Sequence, residues 1–176
     1  MTHYFLGAGL AALVVLFVRQ KGADAMSTER QTSLDGLHPD FLPKLQQLLD
    51  RLKTRGFKPW VYETTRTAAR QDWLYASGRT RPGPIVTNVS GKARNELVGH
   101  AAGKAADIID GRAHPTRSGQ RVGWGTWSGQ DGDETAAEMA EDFFRALGEE
   151  AEALGLTWGG RWTLTGGGQD MPHVEL

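Results

Sequence analysis

His100 and Asp107 stand seven positions apart in GHAAGKAADIID, residues 99–110, with little but Ala and Gly between them. Either side chain can ligate a metal or move a proton, and the interval constrains how. On an α-helix seven residues rise ~10.5 Å, which puts both on one face but two turns apart. Along a strand the same interval spans ~23 Å, and the odd offset sends the side chains to opposite faces. Zinc ligands each lie ~2 Å from one ion. A shared metal therefore requires the chain to bend, and Gly103 is the residue that permits it. The stretch then reads as a loop, a glycine turn and a short buried strand, Ala105–Ile109, carrying Asp107 at the mouth of a site. The plainer alternative is an Ala-rich helix that happens to carry a His and an Asp.

The sequence has no cysteine and five histidines (His3, His38, His100, His114 and His173), so any metal site must draw on His, Asp and Glu. His173, in the C-terminal QDMPHVE, completes a set with His100 and Asp107: three N/O ligands and a fourth position left for water. That is the pattern of catalytic zinc, since closed structural sites use four protein ligands, usually with cysteine. Water on such an ion has its pKa lowered towards ~7. A base is then needed, and Asp170 and Glu175 are the candidates. In a strand Glu175 shares a face with His173, while Asp170 lies in or beside the loop before Pro172; position does not choose between them. The plain readings are solvated carboxylates and a hydrogen-bonded strand histidine.

These residues need elements to hold them. From His38 to Arg55 the positions Leu42, Leu45, Leu48, Leu49 and Leu52 follow helical spacing, with Pro39 near the first turn and Gly56 as the stop. Phe57–Glu63 is β-rich, Trp60 and Tyr62 alternating against Val61 and Glu63, with Pro59 at its start or edge. Thr67–Ala76 reads as a second helix closed by Gly78, and Thr80–Gly91 as a Pro/Gly loop. Gly111–Asp133 is a polar, Gly-rich excursion with Trp124 and Trp127. Glu134–Leu154 is an amphipathic helix on Ala137, Met139, Phe143, Phe144, Leu147, Ala151 and Leu154, stopped by Gly155; two short strands around a glycine loop follow. The expected fold is α+β: a small, mostly antiparallel sheet flanked by helices, with a single zinc site, preceded by an N-terminal apolar segment.

At 176 residues, 39% of them hydrophobic and six of them Trp, the chain supports one domain with a real core, or such a domain plus a targeting segment. A net charge of −1 and a pI near 6.5 give no polyanion-binding surface, so nucleic acid is not an expected partner. Phe5–Val18 is an uncharged apolar run, short against the ~20 residues of a membrane span and suited to a signal-peptide core, with ADA at 23–25 as a cleavage site. The basic RQK at 19–21 follows the run, an order that favours keeping the C-terminal side in the cytoplasm. Residues 1–25 are expected to be a signal peptide or signal-anchor, 26–35 a linker and 36–176 the domain that carries the zinc site. The chain is expected to be exported to the periplasm or cell envelope as a monomer, with membrane association through residues 5–18. If Met26 is the start, the domain is cytoplasmic.

The sequence resembles the LAS-type zinc metallopeptidases, which cleave peptidoglycan stem peptides. HAAGKAAD matches their H-x-x-G-x-A-x-D pattern and QDMPHVE the D-x-P-H-x-E/Q pattern that follows it. LTWGGRW (156–162) and YETTRTAARQDWLYASGRTRPGPIVT (62–87) resemble stretches of the phage-endolysin-like L-alanyl-D-glutamate peptidases and D-alanyl-D-alanine carboxypeptidases. The resemblance implies zinc on His100, Asp107 and His173, Asp170 as the catalytic base, Arg66 steadying the substrate carbonyl or oxyanion, and Gln71 lining the pocket or holding Arg66. Val98 stands where the family has Ser or Thr, and the glycines 166–168 lengthen the segment before Asp170. The implied function is a zinc-dependent peptidoglycan stem-peptide hydrolase of the L-alanyl-D-glutamate endopeptidase type, acting in cell-wall degradation or phage lysis. One alternative is a D-alanyl-D-alanine carboxypeptidase, with Arg79, Arg81 or Arg161 as the cation for the terminal carboxylate. The other is a non-catalytic wall-binding module.

Overall fold

The computed structural model describes residues 26–93, 98–111, 134–164 and 169–176, over 134–140 without side chains. The apolar run 5–18, the excursion 112–133 with its two tryptophans, the side chains of Ala137 and Met139, and the glycines 166–168 lie outside the described residues. Among the described residues no helix is long and apolar enough to cross a membrane. The chain divides into two compact units, a smaller one containing residues 67–94 and a larger one formed by Arg30–Arg66 and Asn95–Leu176.

The larger unit places two helices against a four-stranded sheet. Helix α1, Leu42–Thr54, buries Leu45, Leu48 and Leu52 along one stripe. It begins four residues later than the leucine spacing suggested. The His38 carbonyl accepts from the amides of Phe41 and Leu42 (2.9 and 3.0 Å) in a preceding turn, and Pro43 takes the first helical turn, where its missing N–H leaves nothing unsatisfied. The C-terminal helix of the unit, Glu134–Ala153, buries Phe143, Phe144, Leu147 and Ala151, and the chain turns away at Gly155.

Strands β1 (Pro59–Glu63), β2 (Ala105–Asp110), β3 (Thr157–Trp158) and β4 (His173–Glu175) pair antiparallel throughout, in the order β1-β2-β4-β3. The expected α+β arrangement is therefore observed. Facing residues of an antiparallel pair point to the same side. Val61 with Ile108, Ala106 with Val174, and Trp158 with Val174 face the helices; Asp107 with His173 and Ala105 with Glu175 face the other way. Fully buried Leu45, Leu48, Leu52 and Ile108 each contribute about 1.5–3 kcal/mol through lost apolar exposure.

β1 departs from the simple alternation expected of it. Its register shifts between Val61, opposite Ile108, and Glu63, opposite Asp107. On a regular strand Val61 and Glu63 would share a face. The bulge instead turns Glu63 away from the helices and onto the face that carries Asp107.

In the smaller unit, Thr67 caps helix α2 (Ala68–Tyr75) by accepting from the Arg70 amide at 3.0 Å. Two arginines lace the following loop to that helix. Arg79 donates to the carbonyls of Tyr75 and Thr87 and to Asn88 Oδ1 (2.7, 3.1 and 2.9 Å), and Arg81 donates to the Trp73 carbonyl while stacking 3.6 Å over its ring. We number the Glu134–Ala153 helix α3.

Candidate metal centre

His100 lies in a short 3-10 turn, Gly99–Ala102, and Gly103 follows at φ 67°, a left-handed conformation that a side chain would strain. That bend delivers the chain into β2, so His100 and Asp107 meet although no regular element could join them. Pairing of β2 with β4 then sets His173 opposite Asp107. His100 Nε2 and His173 Nδ1 lie 3.2 and 3.1 Å from Asp107 Oδ1, the rings are 5.0 Å apart, and all three residues are buried. The three donor atoms fall within 4.8 Å of one another. Tetrahedral bonds of ~2.1 Å separate neighbouring ligand atoms by roughly 3.4 Å, so the spacing suits such an ion.

Each candidate ligand is steadied from behind. His100 Nδ1–H donates to the Thr64 carbonyl, so Nε2 is the ring nitrogen that faces Asp107. His173 Nε2–H points at Glu175 Oε2, 3.4 Å away, and Asp107 Oδ2 lies 3.4 Å from Arg66 Nη2. Such outer partners set the tautomer and hold the ring direction a metal needs. Val98, at the family's Ser/Thr position, is exposed and makes no side-chain cap; the orientation of His100 comes from the Thr64 backbone.

LTWGGRW has a physical role here. A Cβ on Gly159 would lie 2.5 Å from the Asp170 carbonyl oxygen and 3.0 Å from the Cβ atoms of Asp170 and His173, so only glycine admits the C-terminal loop. The Trp158 ring fills the space that side chains at Gly148 and Gly160 would take, and its indole N–H donates to the Met171 carbonyl at 2.8 Å. Trp162 packs its ring 4.9 Å from that of His173.

The charges of the site follow from this packing. Burial opposes ionisation of Asp107, but the charges and hydrogen bonds of His100 and His173 outweigh it and hold its carboxyl well below the usual range. Burial likewise opposes protonation of His173, yet its hydrogen bonds to Asp107 and Glu175 prevail and push it up to about 9. Glu175 is held low by that same hydrogen bond against its partial burial. Asp170 is raised by burial and by the Asp107 charge, against the pull of His173, His100 and Arg66. Asp170 thus senses the charges of Asp107, His173, His100 and Arg66; Glu175 is engaged with the outer nitrogen of His173.

Arg66 joins the same cluster. Its Nη2 and Nε donate to Glu63 Oε2 at 2.5 and 3.1 Å, and its backbone amide donates to the His100 carbonyl at 3.1 Å. Gln71 belongs to the smaller unit, where its amide donates to Thr87 Oγ1 and the Val89 carbonyl (3.1 and 2.6 Å). Arg161, a candidate carboxylate clamp, forks onto both oxygens of Glu152 at 2.8 and 3.0 Å. Sequence reasoning passed over Glu63 and Thr64. The one available signal was the three-residue spacing of Glu63 and Arg66 across a strand end.

With this geometry in hand, the chain compares as follows. It is 30% identical over 142 residues to the peptidoglycan L-alanyl-D-glutamate endopeptidase CwlK of Bacillus subtilis (strain 168), an alignment covering 78% of this chain and 74% of that protein. The chain belongs to the M15 metallopeptidase family. A model of that family described as D-alanyl-D-alanine carboxypeptidase matches residues 91–176 of this peptidase, the segment holding His100, Asp107, Asp170 and His173. The L-Ala D-Glu endopeptidase ChiX of Serratia marcescens superposes with a TM-score of 0.46 at 21% identity, over 85% of this chain and 91% of that one. The resemblance to LAS-type peptidases is thereby borne out, and the protein is a hydrolase, not a non-catalytic wall-binding module.

Proposed function

We propose that this M15 peptidase is a zinc-dependent hydrolase of peptidoglycan stem peptides that cuts the bond between L-alanine and D-glutamate. The observation that carries the reading is the combination of a buried His100–Asp107–His173 cluster with 30% identity to CwlK over 78% of the chain. Two imidazoles and one carboxylate, with no thiolate, form a donor set that suits zinc and leaves a position open. A bound zinc ion would supply Lewis acidity, lowering the pKa of an attacking water and polarising the scissile carbonyl.

The protein's own groups do the rest. Asp170 takes the proton of the attacking water and returns it to the departing amine. Burial and the Asp107 charge raise its pKa in the protein without metal, and a nearby dication would draw that pKa back down. Arg66 steadies the negative charge that grows on the carbonyl oxygen, a role that suits a permanent planar cation. Glu175 and the Thr64 carbonyl orient the two imidazoles. Gln71 holds the Thr87–Val89 segment of its unit. The substrate lies outside the cytoplasmic membrane, so the peptidase acts after export, with residues 5–18 as the export segment or anchor.

A D-alanyl-D-alanine carboxypeptidase is the second reading, favoured by the description of the matching family model. It needs a cation for the terminal carboxylate, and Arg161 is committed to Glu152 while Arg79 and Arg81 hold the loop of the smaller unit. That engagement favours the endopeptidase. Mass spectrometry of stem peptides digested by the zinc-loaded protein separates the two. Release of the peptide after L-Ala is expected, and loss of a single D-Ala would assign the carboxypeptidase instead. Cleavage should stop with a chelator.

A further inference from the structure

Glu63 is among the most buried charged residues described, with a side chain 3% exposed against 16% for its partner Arg66. It closes β1, an edge strand, and it faces the metal cluster only because the register shifts after Val61. Without the bulge, Glu63 would point with Val61 and Ile108 into the apolar layer against α1 and α3. The bulge sacrifices ladder regularity, and what it yields is a carboxylate beside Asp107.

We infer that Glu63 is the positioning residue for Arg66: it anchors the guanidinium beside the metal site so that its charge is aimed at the substrate carbonyl. The inference rests on the proposed role of Arg66. Arg66 is a long side chain with many rotamers, and at this position it would stand next to a dication that repels it. Glu63 counters both effects. One oxygen, Oε2, accepts from Nη2 at 2.5 Å and from Nε at 3.1 Å, which fixes the plane of the guanidinium as well as its position. The same Nη2 lies 3.4 Å from Asp107 Oδ2, so the anchored cation bridges Glu63 and the ligand carboxylate. The backbone completes the arrangement, since the Arg66 amide donates to the carbonyl of His100. Two carboxylates thus share one guanidinium, one of them a ligand and the other a support with no place in the ligand set.

Glu63→Asp keeps the charge and shortens the arm by one methylene, so it retracts the anchor without orphaning the cation. On a stem peptide with an L-Ala–D-Glu bond, kcat should fall about tenfold or more while KM and metal affinity stay within about threefold, because misplacing a charge by ~1 Å costs turnover before it costs binding. The Arg66 Nε–H resonance should shift in the metal-loaded protein, an effect that generalised destabilisation of the fold would not single out. Arg66→Met should be slow, and adding Glu63→Asp or Glu63→Gln to it should slow it no further. The pair lacking both charges leaves no buried cation unpaired, so it provides the comparison even if a single variant folds poorly. Wild-type kcat in Glu63→Asp alongside a slow Arg66→Met overturns the role of Glu63. A further loss in the double variants overturns it too, since Glu63 would then act by a route other than Arg66. Full turnover by Arg66→Met is a different failure, and sinks the role of Arg66 itself.

Discussion

In the metal-free protein, His173 holds a proton that a metal must expel. Its Nδ1 lies 3.1 Å from Asp107 Oδ1 and its Nε2 3.4 Å from Glu175 Oε2, so the imidazolium sits between two carboxylates. Burial disfavours that charge, but the two hydrogen bonds win, and the group titrates at about 9. Metal binding needs the Nδ1 lone pair, so below pH 9 ligation by His173 competes with its protonation. The sign follows: affinity rises with pH, by about tenfold per unit well below 9. Between pH 6.5 and 8.5 the protonated form falls from roughly 300-fold to roughly 3-fold excess over the neutral one. That predicts a gain on the order of 10²-fold in affinity, or roughly 2–3 kcal/mol, from His173 alone. Competition against a chromogenic chelator across this range, corrected for the chelator's own titration, measures it. Calorimetry at pH 7.5 in two buffers of different ionisation enthalpy should show about one proton released by this group. A flat affinity from pH 6.5 to 8.5 with no buffer-dependent heat would refute the reasoning, because it would mean that His173 is neutral in the metal-free site. Glu175→Gln sharpens the test. Losing that carboxylate should lower the His173 pKa and shrink the pH dependence, while the affinity at pH 8.5 drops about 10–100-fold because the ring is less firmly oriented.

The same proton stabilises the metal-free fold. The folded pKa is raised from 6.5 to about 9, so this stability is fully present below 6.5 and is lost as pH rises through 9, on the order of 3 kcal/mol in all. A melting temperature of the chelated protein that falls across that window, and a holoprotein that lacks the fall, is the expected result. At the acid end Asp107 has the opposite sign, contributing stability above its ordinary pKa that disappears as the pH drops below it. Gly159→Ala should push the Asp170 carbonyl and the His173 side chain out of place, costing about 1–3 kcal/mol and most of the metal occupancy; thermal melts with metal analysis read both. Asp170→Asn should bind metal as wild type does yet lose about 10²–10⁴-fold in kcat, and normal turnover on stem peptide would remove Asp170 from the role of base.

Much of the site was legible in the sequence because its signals are local. The odd interval in GHAAGKAADIID ruled out a regular element, and Gly103 named the place of the bend; the structure has that glycine at φ 67° between a 3-10 turn and β2. The leucine stripe of α1 and the Gly155 stop of α3 were readable for the same reason, since spacing and backbone preference act over a few residues. What needed the fold was every contact made across long stretches of chain. Nothing in the sequence between residues 64 and 100 says that a threonine carbonyl will orient a histidine ring 36 positions later. Alternation along FKPWVYE put Glu63 on the face of Val61, and only pairing with β2, which forces the register shift, reverses it. Asp170 and Glu175 were equivalent by position; tertiary packing separated them by tying Glu175 to His173 and leaving Asp170 among the charges of the cluster. Residue types and intervals thus determined which groups could bind a metal, because ligand chemistry and chain reach are properties of the sequence. Strand register, burial and the resulting electric field decided that Glu175 meets the outer nitrogen of His173 and that Asp170 stands among the charges of the cluster, because those exist only once distant segments are packed together.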